Sequence, residues 1–151
     1  MKQSSAAPDN DQARYALWRH GADLLAKLRA TEALDLLIAN LTLTDGFSIS
    51  LSHYPATVAV TSIGQSAIPK LQLVLGKNAN PHMRKFAVFC IASIGGARAK
   101  GVLTNALPNE TDRCVRRFIA VSLEMFSNKV KPNQIPPDDG KWFSAFYCLA
   151  E

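Results

Sequence analysis

The sequence predicts an all-α fold, and three observations carry that prediction. Apolar residues recur at i, i+4 and i+7 or i+8 through most of the chain, the period of an amphipathic helix. No stretch carries a β-hairpin signal. Most telling is an internal repeat. Met83-Arg84-Lys85-Phe86-Ala87-Val88-Phe89-Cys90-Ile91-Ala92-Ser93-Ile94 aligns with Val115-Arg116-Arg117-Phe118-Ile119-Ala120-Val121-Ser122-Leu123-Glu124-Met125-Phe126 at a constant offset of 32. Each copy reads apolar, basic, basic, Phe, then apolar at helical spacing. A second segment repeats at the same offset, Ala67, Leu71, Val74 and Leu75 against Ala99, Leu103, Ala106 and Leu107.

About eight helices follow, taken in chain order. Residues 1–10 are read as a flexible N-terminus. Asp11–Arg29 carries Tyr15, Leu17, Trp18, Leu24, Leu25 and Leu28, enough apolar surface to cap one end of a helical stack. In Thr31–Thr42, Ala33, Leu37 and Leu41 match Ala67, Leu71 and Leu75 at an offset of 34, which makes Leu43–His53 a lengthened loop. His53–Ile63 stops at Gly64, and Val60, Ile63 and Gly64 match Ile91, Ile94 and Gly95 at 31. Ser66–Gly76 is its partner helix. Pro81–Ile94 has Asn80 as N-cap ahead of a proline in the first turn. It contains the longest apolar run, Phe86 to Ile94, which is far too short to cross a membrane and reads as a buried helix. Gly95 and Gly96 end it as C-terminal caps, and Ala97–Leu107 follows. Asp112 caps Arg113–Ser127 in the same way. Lys131 to Gly140, with three prolines, forms a linker. Asp138–Ala150 then supplies Trp142, Phe143, Phe146, Tyr147 and Leu149, with Asp138 or Asp139 as N-cap. That last helix is expected to cap the other end of the stack, the alternative being an aromatic partner-docking segment. The domain plan is thus residues 11–127 as the repeat array, 128–137 as linker and 138–151 as capping helix.

Arg113-Cys114-Val115-Arg116-Arg117-Phe118-Ile119-Ala120, and Ile94-Gly95-Gly96-Ala97-Arg98-Ala99 with Met83-Arg84 before it, resemble HEAT-like repeats of the short bilin-lyase type. The resemblance covers roughly residues 31–127. It implies an α-solenoid, a right-handed stack of antiparallel helix pairs whose second helices line one concave surface. It implies no particular chemistry, because such repeats serve in scaffolds, lyases, chaperones and some DNA glycosylases. No residue of this chain is assignable to bilin-lyase activity. The physics agrees with the fold: one helix pair cannot bury its own apolar stripe, so neighbours must stack and the ends must be covered.

The net charge of +5 is unevenly placed. Six basic and six acidic residues cancel in 1–75, whereas 76–151 holds eleven basic against six acidic. That asymmetry points to an acidic partner or surface, set against a simple solvated basic face. Cys90, Cys114 and Cys148 show no paired framework and no Cys-x-x-Cys, which suits a reducing compartment. Met1–Pro8 lacks the apolar segment of a secretory signal, so the expectation is a cytoplasmic protein.

Catalytic constellations are sparse. His20, His53 and His82 fall in different elements with no ligand at i+3 or i+4, so neither metal nor cofactor is expected. Cys90, mid-helix between Phe89 and Ile91, should be an inert buried thiol. Cys114, beside Arg113 and Arg116–Arg117, is either a reactive thiol or a packing residue, and packing is favoured. Asp138–Asp139, Glu110 and Asp112 are best explained as helix caps. Gly95-Gly96 follows a helix instead of a strand, unlike a phosphate loop.

What remains is the basic set between residues 77 and 131. Arg84–Lys85 and Arg116–Arg117 lie one repeat apart, so stacking should align them into a strip. Arg84 and Arg116 are candidates for inter-repeat hydrogen bonding, which leaves Lys85 and Arg117 as the exposed pair. The expected function is a non-enzymatic protein-interaction or scaffold module with a protein partner. The alternative is a nucleic-acid-binding, glycosylase-like HEAT protein that uses the basic strip. The candidate binding residues are Lys70, Lys77, Lys85, Arg98, Lys100, Asn105, Arg113 and Arg117. A homodimer is left open, and no membrane association is expected.

Overall fold

The computed structural model describes residues 10–44, 53–127 and 140–149, and among these every regular element is helical. The helices are α1 (Asn10–Lys27), α2 (Leu34–Ala39), α3 (Pro55–Ile63), α4 (Ile68–Lys77), α5 (Pro81–Ile94), α6 (Gly96–Ala106), α7 (Arg113–Ser127) and α8 (Gly140–Tyr147). Short 3₁₀ turns lead into α2 and α4 and follow α6. The predicted boundaries of α5 and α7 coincide with the observed ones. The predicted caps Asp138 and Asp139, and most of the loop from Leu43 to His53, lie outside the described residues.

The ends of the helices follow from local chemistry. Asn80 Oδ1 accepts the His82 N–H at 2.9 Å, and Asp112 Oδ1 accepts those of Cys114 and Val115 at 2.9 and 3.0 Å. Each satisfies donors that the first helical turn cannot pair internally. At the other end of α5, Gly95 adopts φ 71° and Gly96 φ 84°, left-handed values that a β-carbon disfavours. That turn lets α6 begin at once. Gln65 Nε2 then donates to the Gly95 carbonyl at 2.9 Å and joins two successive repeats.

The packing sorts the helices into two rows. One row is α1, α3, α5 and α7, each touching the next; the other is α2, α4 and α6. Between the rows α5 meets both α4 and α6, and it is buried without a break from Phe86 to Ile94. A helix apolar on every side belongs in such a position. The repeat is visible in three dimensions. Phe86 and Phe118 are both fully buried, as are Leu37, Leu71 and Leu103 in the second row.

One expectation about the ends needs correction. In α1 the core face is Trp18, Ala22 and Leu25, whereas Leu17, Leu24 and Leu28 point outward, the first and last 76% exposed. Trp18, Ala22 and Leu25 share one side of the helix and the three leucines the other. The helix therefore covers α3 with only part of the surface expected of it. The last helix does bury Trp142, Ala145 and Phe146. It lies against α7, and through its rings against α5, along the outer side of the first row.

Candidate functional site

The second-row helices α4 and α6 frame a groove of about 490 Å³. Leu75, Val102 and Ala106 supply its apolar floor, and Gln72, Lys77, Asn105 and Asn109 its polar lining. The apolar residues sit where the helical period turns them toward the neighbouring helix, and the polar ones fall one position round toward solvent. Asn109 Nδ2 donates to the Asn105 carbonyl at 3.1 Å, which leaves its own carbonyl oxygen available to accept. Gln72, Asn105 and Lys77 are exposed. A carboxamide both donates and accepts, so Gln72, Asn105 and Asn109 along one groove match the alternating N–H and C=O of an extended peptide.

One end of the groove is an internal ion pair. Arg84 Nε and Nη2 donate to the two carboxylate oxygens of Glu110 at 2.9 and 2.8 Å, with the Glu110 side chain only 4% exposed. Arg84 Nη1 also donates to the carbonyls of Asn78 and Ala79, and Glu110 Oε1 accepts the Asp112 N–H. Burial by itself would raise the Glu110 pKa. The Arg84 hydrogen bond, backbone donors and Arg84 charge outweigh it and hold the carboxylate below its usual range. Glu110 is thus an ion-pair partner linking two repeats as well as a loop cap. Ionised and fully bonded, it is a poor proton acceptor for chemistry. Arg116 repeats the Arg84 geometry one unit on, donating to the Glu110 carbonyl as Arg84 does to that of Asn78. Both arginines work inside the fold.

The exposed basic pair expected of Lys85 and Arg117 does not stand. Lys85 Nζ donates to the Phe146 carbonyl at 2.8 Å and lies 5.3 Å from the Phe146 ring centre. Arg117 Nη1 donates to the Leu149 carbonyl at 2.7 Å. Both hold the C-terminal end of α8, where unpaired carbonyls concentrate negative charge. Of the other sequence candidates, Lys77 and Asn105 meet in the α4–α6 groove, and Lys70 pairs with Asp35 across α4 and α2. Arg98, Lys100 and Arg113 are exposed and lie outside the groove lining.

The cysteines also depart from expectation. Cys114 and Cys148 form a disulfide across a sequence separation of 34, with Cα atoms 5.4 Å apart. Cys114 is therefore neither a free nucleophile nor a mere packing residue, and the three cysteines do not all stand as thiols. Cys90 remains a thiol, pushed up to about 12 by complete burial.

Sequence reasoning passed over Gln72 and Asn109, because a lone amide on an amphipathic helix carries no signal until its neighbour's phase is known. It also passed over a second groove of about 810 Å³ between α1 and α3, lined by Arg19, His20, Asp23, Lys27 and Val58 among others. Among the described residues no helix is long and apolar enough to cross a membrane, and no three His, Cys, Asp or Glu side chains cluster. No protein-family model, curated protein or solved structure matches this chain.

Proposed function

We propose that this chain is a non-enzymatic protein-interaction module, a HEAT-like α-solenoid that holds an extended segment of a partner protein in the α4–α6 groove. The groove carries the reading: Gln72, Asn105, Asn109 and Lys77 rim an apolar floor on the second helices, the face that such a stack turns inward. The repeat supports the architecture, since caps, arginines and core phenylalanines recur at 32 residues. An acidic or polar segment suits Lys77 at the groove's end, and the carboxamides suit its backbone.

The test compares partners captured by the wild-type chain and by a Gln72→Ala, Asn105→Ala, Lys77→Glu variant whose helical spectrum is unchanged. Partners lost selectively with the variant support the groove. Recovery of the same set with both proteins sinks it.

The nucleic-acid alternative now rests on Lys77, Arg98, Lys100 and Arg113, because Lys85 and Arg117 bind α8. Duplex binding in near-physiological salt that weakens by about 0.9 log unit per neutralised phosphate for each tenfold rise in salt, and falls with Arg98→Glu and Arg113→Glu, would favour it.

A further inference from the structure

We propose that the outer face of α5 and α7 is a redox-gated helix-binding groove, whose occupant α8 is held by Cys114–Cys148 and released when a dithiol reductant opens that bond.

Three kinds of attachment converge on α8. Phe146 sits between the repeat-equivalent rings of Phe86 and Phe118, at centroid distances of 5.2 and 5.3 Å. Trp142 packs on Phe89 and Phe118 at 5.0 and 5.4 Å, with its Nε1 donating to Ser122 Oγ at 3.2 Å. Lys85 and Arg117, also repeat-equivalent, take the carbonyls at the helix end. The face thus reads an aromatic pair at i and i+4 together with the negative end of a helix, which are features of a ligand site.

The third attachment is the disulfide, which ties the residue just past α8 to the first turn of α7. The N–H groups of Cys148 and Leu149 bond back to the carbonyls of Ala145 and Ser144, closing the helix with Cys148 at φ 56°. Glycine is the residue that fits this position without strain. A cysteine there, facing Cys114 in the first turn of α7, trades backbone ease for a covalent tie. Both sulfur-bearing residues are partly exposed, whereas Cys90 is sealed in the core.

An eight-residue helix does not hold its shape alone in water. Off the face, α8 loses its helix, and Phe86, Phe89 and Phe118 lose the rings of Trp142 and Phe146 that cover them. In the gating step a thiolate of the dithiol attacks one sulfur of the pair, and the second thiolate resolves the mixed disulfide. The Cys114–Cys148 bond breaks, two electrons pass to the cysteines, and the reductant closes as a disulfide while its two protons move to the cysteine sulfurs.

The test is hydrogen exchange on the full chain, oxidised and in dithiothreitol, with Cys148→Ser as a reductant-free comparison. Reduction should widen the exchange-rate gap between α8 and α5 by about tenfold or more, and chymotrypsin should then cut at Trp142 and Phe146. Adding Lys85→Met and Arg117→Met should speed α8 exchange further in the reduced protein and leave the oxidised protein little changed. An α8–α5 gap that is the same in both redox states, or a reduced protein that opens only as one unit, would overturn the proposal. So would α8 exchange in reduced protein that ignores Lys85 and Arg117.

Discussion

Truncating Phe118 to alanine removes a ring with no solvent exposure that is touched from two sides by α8, at 5.4 Å by Trp142 and 5.3 Å by Phe146. The loss has two parts, the transfer free energy of the ring and the cavity left behind, together about 3–5 kcal/mol for a buried Phe. The upper half of that range applies here. The neighbours are stiff aromatic rings on a helix tied down by a disulfide, so the site collapses poorly. Against a total stability of about 5–15 kcal/mol the change is large. Urea unfolding of the oxidised protein should show the midpoint falling by about 2 M, for a slope near 2 kcal/mol/M that stays constant. Val58→Ala, at a half-exposed site on α3, is the control and should move stability by no more than about 0.5 kcal/mol. A cycle with Phe146→Ala should return a coupling of about 0.5–1.5 kcal/mol for the edge-to-face pair. A Phe118→Ala shift under about 1 kcal/mol would mean that the ring is not where the packing puts it. The docking of α8 would fall with it.

Other outcomes follow from the same contacts. Glu110→Ala leaves the partly buried Arg84 guanidinium with only its bonds to the Asn78 and Ala79 carbonyls and should cost about 1–3 kcal/mol, whereas replacing both residues by apolar ones should cost much less than the sum. Glu110 has a folded-state pKa lowered from the ordinary carboxylate value, so its contribution is complete above that ordinary value and is lost as pH falls through the lower, folded one. Acid unfolding of the wild type should therefore show a component below about pH 4.5 that Glu110→Gln lacks. Asp112→Ala removes the cap of α7 and should cost about 1 kcal/mol by denaturant unfolding. Thiol titration should find no reactive cysteine in the native oxidised chain, one on denaturation (Cys90) and three after reduction.

Much of the fold was legible because its signals are local. Asn80 and Asp112 mark helix starts, Gly64 and Gly95 mark stops, and the 32-residue repeat fixes the phase of what lies between. Where local signals compete, the reading slipped. The helix expected over Thr31–Thr42 ends at Ala39, because Asn40 turns its side-chain amide onto the Leu36 carbonyl at 2.8 Å and its own N–H onto the previous turn. Leu41 is fully buried all the same, so its periodicity recorded burial and not helix. In α1 two apolar stripes compete, and sequence cannot rank them. The small side chain of Ala22 lets α3 approach, and that selects the face with Trp18 and Leu25. The disulfide was out of reach for a different reason. Cys114 and Cys148 become neighbours only once α8 has folded back along the first row, a long-range fact with no motif of its own.

The basic strip is the instructive case, because two of its cations find acceptors within the chain itself. Lys85 and Arg117 follow Arg84 and Arg116, precede Phe86 and Phe118, and recur at 32 residues, a pattern that suits an acceptor of negative charge lying across two repeats. The acceptor is the carbonyl end of the chain's own last helix, which carries about half a negative charge without any acidic residue. Phe146 between the two phenylalanines, and Phe146 and Leu149 carbonyls on the two cations, make one short helix read two repeats at once. A count of charges along the sequence cannot reveal this, because backbone carbonyls are absent from it. The consequence is testable in the pair itself. Lys85→Glu with Arg117→Glu should shift the reduced protein further toward undocked α8, seen as a red shift of Trp142 emission in a Trp18→Phe background. Partners held in the α4–α6 groove should remain bound. Loss of those partners with α8 still seated would move the binding face from the second row of helices to the first.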